Sequence, residues 1–321
     1  MNITHFLISA TRKVVVKVRT PNLQKRSLNY IDDPNIANEM IYNMLVSQDP
    51  CMIARFGSTE LDTIINYIGM KNHNLLTCVL GESPKWWWTT HQFDRIRDLS
   101  GFINPTYDNL IKFSELMIDD MKQVDILGSW RQEELLFSKE LSKVQKVKLM
   151  YLEPFWSEKP WTKALEEKKV LVIHPFAKSI IKQYEKREKI FPQKVILPKF
   201  ASLDVIQSVQ SIGGVCEYND WFEALHSMEK QMDKIEYDVC LIGCGAYGFP
   251  LAAHAKRTGH KAIHLGGSLQ LLFGIAGKRW FDPQSSRLYS IYKDLINENW
   301  VYPEKSEKPK GADNVEGGCY W

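Results

Sequence analysis

In the stretch Met52-Ile53-Ala54-Arg55-Phe56-Gly57-Ser58-Thr59-Glu60-Leu61, an apolar run breaks at a glycine and turns straight into a helix-forming segment. The junction carries one arginine and one carboxylate. A cation beside a carboxylate at a strand end suits a diphosphate accompanied by a divalent metal. Each charge also has a plainer reading. A carboxylate in a first helical turn gains about 0.3–1 kcal/mol from the helix dipole, and Arg55 can be the buried partner of a carboxylate.

A second junction of the same kind is Val239-Cys240-Leu241-Ile242-Gly243-Cys244-Gly245-Ala246-Tyr247-Gly248. Its G-x-G-x-x-G spacing permits a tight turn and lets backbone N–H groups approach a phosphate at the helix start. A glycine turn needed only for close strand–helix packing fits equally well. NAD is not expected. The next strand ends in His264-Leu265-Gly266-Gly267, with no Asp or Glu to hold a ribose. Two more polar residues close apolar runs: Glu153, before Pro154, and His174, before Pro175. Both are acid–base candidates, and His174 is also a candidate hydrogen-bond donor to a phosphate. The alternatives are a helix-entry carboxylate and a satisfied core histidine. His260 and His264 have a metal-like spacing but span a turn and a strand, so their rings should not share a face. Trp86-Trp87-Trp88, Trp130, Trp156 and Trp161 offer flat rings suited to a sugar face, or to a core.

These residues need a scaffold that gathers strand ends. Asp33-Pro34 reads as an N-cap and first helical residue, followed by Ile36, Met40, Ile41, Met44 and Leu45 on one helical face. A strand ends at Gly57, a helix runs from Ser58 to Met70, and residues 71–106 read as irregular. A helix follows over Asn109–Lys122, then strands over 124–128 and 147–152. From Lys169 the alternation is regular: strand 170–173, helix 177–191, strand 194–197, helices 203–212 and 221–235, strand 238–242, helix 249–258, strand 262–265 and helix 268–276. Short apolar strands alternating with helices predict an α/β, Rossmann-like, doubly wound and mainly parallel sheet with helices on both faces. In such sheets ligands bind beyond the carboxyl ends of the strands, where Arg55–Glu60, Gly128–Arg131, Glu153, His174, Gly243–Gly248 and His264–Ser268 all fall. The expected organisation is a basic arm over 1–31, an α/β domain over 32–299 (one unit, or halves 32–167 and 168–299), and an extended tail over 300–321 whose aromatic end docks.

The chain has 321 residues, 44% hydrophobic and 25% charged, an ordinary composition for a packed core. A net charge of +3 gives no argument for nucleic acid. Residues 1–31 hold no acidic side chain but carry Arg12, Lys13, Lys17, Arg19, Lys25 and Arg26. This segment is either a peripheral membrane contact or a solvated basic arm or edge strand. The apolar run Phe6-Leu7-Ile8 is too short for a secretory signal, and no stretch approaches the roughly 20 apolar residues of a membrane span. Six scattered cysteines without C-x-x-C exclude zinc ribbons and fit a reducing compartment.

Arg55-Phe56-Gly57-Ser58-Thr59-Glu60-Leu61 resembles the strand-to-helix motif of the bacterial GT-D-type glycosyltransferases, R-F-G-D-G-E with a D-x-E core. Asp238 to Gly267 also looks like that family's closing Rossmann-like segment. The resemblance implies a nucleotide-sugar donor, a divalent cation (manganese or magnesium) and cytoplasmic glycan assembly. It places Arg55, Gly57, Ser58, Glu60, Gly243, Gly245, His264 and Gly267 around the donor, with Glu60 also on the metal. Glu60 matches the motif's Glu. Ser58 stands where the first Asp is expected, which removes one hard oxygen ligand and weakens the implied metal site. The function expected is sugar transfer to a glycan or lipid-linked acceptor in bacterial surface polysaccharide biosynthesis, with Glu153 or His174 as base. The localisation expected is cytoplasmic, or peripheral on the inner face of the membrane. The alternative is a non-catalytic sugar-nucleotide or glycan-binding module in a polysaccharide assembly complex. A Rossmann oxidoreductase is a distant third.

Overall fold

The structure is a computed structural model that describes residues 3–19, 27–210, 216–308 and 318–321. Seven strands form one sheet: β1 (Cys51–Ala54), β2 (Ile126–Ser129), β3 (Gln145–Lys148), β4 (Lys169–His174), β5 (Ser202–Gln207), β6 (Val239–Ile242) and β7 (Lys261–His264). Their order is β3-β2-β1-β7-β6-β4-β5, and every pairing is parallel. The fold is thus α/β and Rossmann-like. The central strands are buried on both faces because their side chains alternate between two apolar layers. Met52, Leu171, Cys240 and Ala262 enter one layer; Ile53, Val172, Leu241 and Ile263 enter the other.

The helices that matter here are α1 (Ile3–Arg19), α2 (Pro34–Val46), α3 (Ser58–Lys71), α4 (Leu75–Val79), α5 (Thr90–Ser100), α6 (Tyr107–Asp120), α7 (Ala177–Tyr184), α8 (Arg187–Ile190), α9 (Trp221–Met232), α10 (Gly248–Arg257) and α11 (Leu269–Leu272). Helices α3, α5, α6, α9 and α10 cover the first layer; α2, α7, α8 and α11 cover the second. Asp33 caps α2 by accepting from the amides of Asn35 and Ile36, with Pro34 at the first helical position.

Several elements differ from the sequence reading. Residues 203–210 do not form a helix, because Ser202-Leu203-Asp204-Val205-Ile206-Gln207 pairs along its whole length with β4 as an edge strand; 211–212 of the expected helix lie outside the described residues. Its exposed Ser202 and Asp204 alternate with half-buried Leu203 and Val205, a period of two. Residues 194–197 find no partner strand, and Val195 stands in solvent. Residues 71–106 are not irregular: they contain α4 and α5, the latter opened by a Thr89–Gln92 capping box and closed by left-handed Gly101. The predicted strand over 147–152 is β3 followed by a 3-10 turn over Leu149–Leu152, and the helices over 177–191 and 268–276 break into short pieces. On α2 the packed face is Ala37, Ile41 and Leu45, while Ile36 faces water. In the described part of the basic arm, Ile3–Arg19 is a helix, while Ile31 makes a single parallel bridge with Val147 at the sheet edge; Lys25 and Arg26 lie outside the described residues, as do 309–317 of the tail.

Candidate functional site

Strands β1, β7, β6 and β4 are consecutive neighbours, so the residues that end them stand in a row. Ile53 pairs with Ile263, His264 with Ile242, and Ile242 with Ile173. Arg55, His264, Gly243 and His174 therefore follow one another across the carboxyl edge over roughly 14 Å, three inter-strand spacings. They open into a cavity of ≈ 700 Å³ that Gly57, Ser58, Glu60, Glu153, Gly245 and Gly267 also line. All ten residues singled out in the sequence are thus brought to one place. His260 is not: it stacks on Tyr237, with ring centroids 4.1 Å apart.

Glu60 sits in the first turn of α3 and folds back over the residue before the helix. A Cβ at Gly57 would lie 1.9 Å from Glu60 Oε2, so any side chain there would displace the carboxylate. Burial raises the Glu60 pKa, with its own amide, Arg55 and Ser100 opposing. Arg55 is half-buried, and desolvation lowers its pKa against the pull of Glu60. Its guanidinium lies 5.4 Å from the centre of the Trp130 ring. Among the described residues Arg55 forms no ion pair, whereas Arg131, on the same aromatic ring, is held by Asp62 at 2.7 Å and Glu133 at 2.9 Å. Trp130 is fixed in turn by donating Nε1–H to Phe56 O at 3.1 Å.

The two histidines are neutral for the same reason and are held oppositely. Burial depresses both pKa values to about 3, and Arg55 pushes His264 further in that direction. His174 Nδ1 accepts from the Phe176 amide at 3.0 Å, which leaves the proton on Nε2 as a donor. His264 Nδ1 lies 3.4 Å from Ile242 O and donates to it, which leaves Nε2 as an acceptor. The glycine motif makes room for these rings. A Cβ at Gly248 would lie 2.2 Å from His264, and one at Gly243 would lie 2.6 Å from Gly266 O and 2.9 Å from His174. Gly245 has φ +58°, and a Cβ there would lie 2.6 Å from Ser100 O. The turn is thus both left-handed and in close contact with the end of α5.

Glu153 accepts from Tyr292 Oη at 2.7 and 3.0 Å and from Trp156 Nε1 at 2.9 Å. Burial nonetheless pushes its pKa up to about 7. A carboxyl group balanced between its two forms near neutral pH is suited to take a proton. For a metal the fit is poor. Glu60 is a lone carboxylate with a hydroxyl at Ser58, a guanidinium stands beside it, and no cluster of three His, Cys, Asp or Glu side chains is placed for an ion among the described residues.

The sequence reading missed several lining residues. Arg279, Tyr292, Tyr320 and Trp321 reach the cavity from distant segments. Tyr320 packs on Gly267, where a Cβ would lie 2.4 Å from its ring, and accepts from the Arg279 guanidinium. Trp321 packs edge-on against Phe176. The aromatic tail end was the one available signal; nothing pointed to Arg279 or Tyr292. Of the tryptophans, Trp87, Trp88 and Trp161 are core, Trp156 holds Glu153, and Trp130 lines the cavity.

Fold and cavity together define an α/β protein with a large cavity at the carboxyl edge of a parallel sheet. The family described as GT-D fold-like domain matches residues 33–272, most of the chain, and the protein belongs to that family. It therefore has a glycosyltransferase-like fold. No curated protein and no solved structure matches the chain.

Proposed function

We propose that this protein transfers a sugar from a nucleotide-sugar donor to a glycan or lipid-linked acceptor in surface polysaccharide assembly. The observation that carries the reading is the Arg55 guanidinium, which faces the cavity without an ion pair among the described residues. A diphosphate would supply the missing partner, and bidentate guanidinium–phosphate pairing is strong and geometrically specific. His174 Nε2–H would donate to a second phosphate oxygen, and the turn at Gly243–Gly245 would let backbone approach it. Glu60 would accept from a donor hydroxyl. Glu153 would take the proton of the acceptor hydroxyl as its oxygen attacks the anomeric carbon. The nucleoside diphosphate then leaves with the bond electrons, its added charge held by Arg55 and His174. The basic amphipathic N-terminus would keep the protein at the inner face of a membrane, close to a lipid-linked acceptor.

One observation favours a second reading, a non-catalytic sugar-nucleotide-binding module: Ser58 leaves Glu60 without a companion carboxylate. Two near-isosteric variants separate these readings, with nucleotide-sugar binding by calorimetry and hydrolysis or transfer by product release as readouts. For the transferase, Glu153→Gln should keep donor binding and lose turnover by a factor of about 10²–10⁴. Glu60→Gln should weaken donor binding by about tenfold, the loss of one hydrogen bond to a charged group, with little change in melting temperature. Wild-type protein that binds donors and turns none over would establish the module. A Glu60→Gln protein that melts much lower but binds donor normally would make Glu60 structural.

A further inference from the structure

Among the described residues, helix α1 makes ring, hydrogen-bond and packing contacts with the domain through His5, Arg12 and Val16, which lie along one face. His5 stacks on Trp87 with ring centroids 4.2 Å apart and planes 6° from parallel. Arg12 donates to Cys78 O and Ser83 O beyond α4. Val16 packs on Gly81, where a Cβ would lie 2.5 Å away and φ is +81°. These contacts fix the rotation of the helix, and the rest of its circumference follows from its period. Ile3, Phe6, Leu7, Val14 and Val18 are each more than half exposed. At 3.6 residues per turn they share an outward stripe of roughly 120°. Leu75 and Leu76 of α4 are also mostly exposed and extend the apolar surface of this corner.

Between the attached face and the stripe lies an open pocket of ≈ 480 Å³. It is lined by Arg12, Lys13, Lys17 and Lys85, with Ser9 and Val16 between them. Four cations meet there, and the Lys85 pKa is lowered by burial and by repulsion from Arg12 and Lys13. An anion in the pocket would relieve that repulsion. By helical spacing, Lys13 and Lys17 stand on the border between pocket and stripe. An apolar stripe edged by lysines beside a cation-lined pocket complements an anionic lipid surface, headgroup phosphate beside acyl chain. No described helix is long and apolar enough to cross a membrane, so the contact would be interfacial.

We propose that α1 and the Lys13–Lys85 pocket form a docking site for an anionic phospholipid bilayer: the stripe enters the acyl boundary and the pocket takes a headgroup phosphate. The proposal rests on the membrane-contact reading alone and is independent of donor chemistry, because vesicle binding needs no donor.

The test is co-sedimentation of the full chain with vesicles of phosphatidylcholine, alone or mixed with phosphatidylglycerol, at low and high salt. Binding should require phosphatidylglycerol and weaken with salt. Lys13→Ala with Lys85→Ala should lower affinity by on the order of tenfold or more, since each cation near an anionic surface contributes several-fold. Leu7→Ser with Val14→Ser should also weaken binding, and most clearly at high salt, where the apolar contribution dominates. Circular dichroism verifies that the variants are folded, as exposed positions allow. Three results would overturn the proposal. One is failure to sediment with anionic vesicles, or sedimentation that neither pair alters. Another is pocket-dependent binding of glycerol phosphate with no vesicle binding, which would assign a free phosphate. The third is self-association lost in Leu7→Ser with Val14→Ser and no vesicle binding, which would assign the stripe to a second copy of the chain. Failure here would leave the donor-site assignment untouched, and failure of the donor assays would leave vesicle binding untouched.

Discussion

Residue 58 is a serine at the first helical position of α3, two residues before a buried carboxylate at Glu60. A hydroxyl is a poor anchor for magnesium or manganese, and affinity for hard cations rises with the number of charged oxygens. We expect manganese to bind the nucleotide-free protein weakly and Ser58→Asp to tighten it by about tenfold or more; isothermal titration calorimetry decides. Tight manganese binding by the free wild-type protein would show that other groups complete the site. At this scale the sequence was informative about which residues gather, because apolar runs closed by Arg55, His174, Gly243 and His264 name the strand ends directly. It was silent on protonation. That His174 presents a donor and His264 an acceptor follows from contacts with Phe176 N–H and Ile242 O, which no spacing reveals.

The elements make a turn part of the cavity wall through close approach. At Gly245 a left-handed backbone and the carbonyl of Ser100 leave no space for a side chain. Gly245→Ala should cost about 2–4 kcal/mol, combining strain at φ > 0 with displacement of α5. It should also weaken nucleotide-sugar binding; denaturant unfolding and calorimetry measure the two. An unchanged midpoint would mean that the turn relaxes freely. The strand-to-helix junctions were legible because Gly57 and Gly243 interrupt buried runs. The β5 segment was not: Leu203, Ile206 and Val209 also satisfy a helical period, and only pairing with β4 settles the choice. Helix α5 was hidden because its apolar content is low and its signals are its two caps, Thr89 and Gly101.

For the molecule as a whole, the buried site links stability to pH in opposing directions. His174 and His264 have folded pKa values depressed from 6.5 to about 3, so their contribution is lost as pH falls below 6.5. Glu153 is raised from 4.5 to about 7, so its contribution is present below 4.5 and lost as pH rises through 7. Glu60 is shifted in the same direction as Glu153. The two kinds of group offset one another between pH 4.5 and 6.5. Glu153→Gln removes one opposing proton. Relative to wild type, it should therefore gain about 1.4 kcal/mol of stability for each pH unit from 4.5 to 7. Urea midpoints across that range measure the difference; parallel profiles would mean that Glu153 stays ionised in the folded protein. Sheet class and helix-covered faces were readable from alternating apolar runs. The strand order was not, because the insertion of β7 between β1 and β6 is a long-range choice that local pattern does not encode.

That insertion also bears on how the protein is made. Strand β1, which delivers Arg55, is synthesised long before β7, yet β7, the last strand of the sheet, is one of its two neighbours, paired from Cys51 to Lys261. Until β7 arrives, one edge of β1 is an open template for wrong partners, and closing so long a loop is slow. A chain released before Lys261 would keep the Arg55–Glu60 motif in its sequence but lack the strand that holds it in place, so a ribosome must pass β7 before the cavity at the sheet edge can form at all.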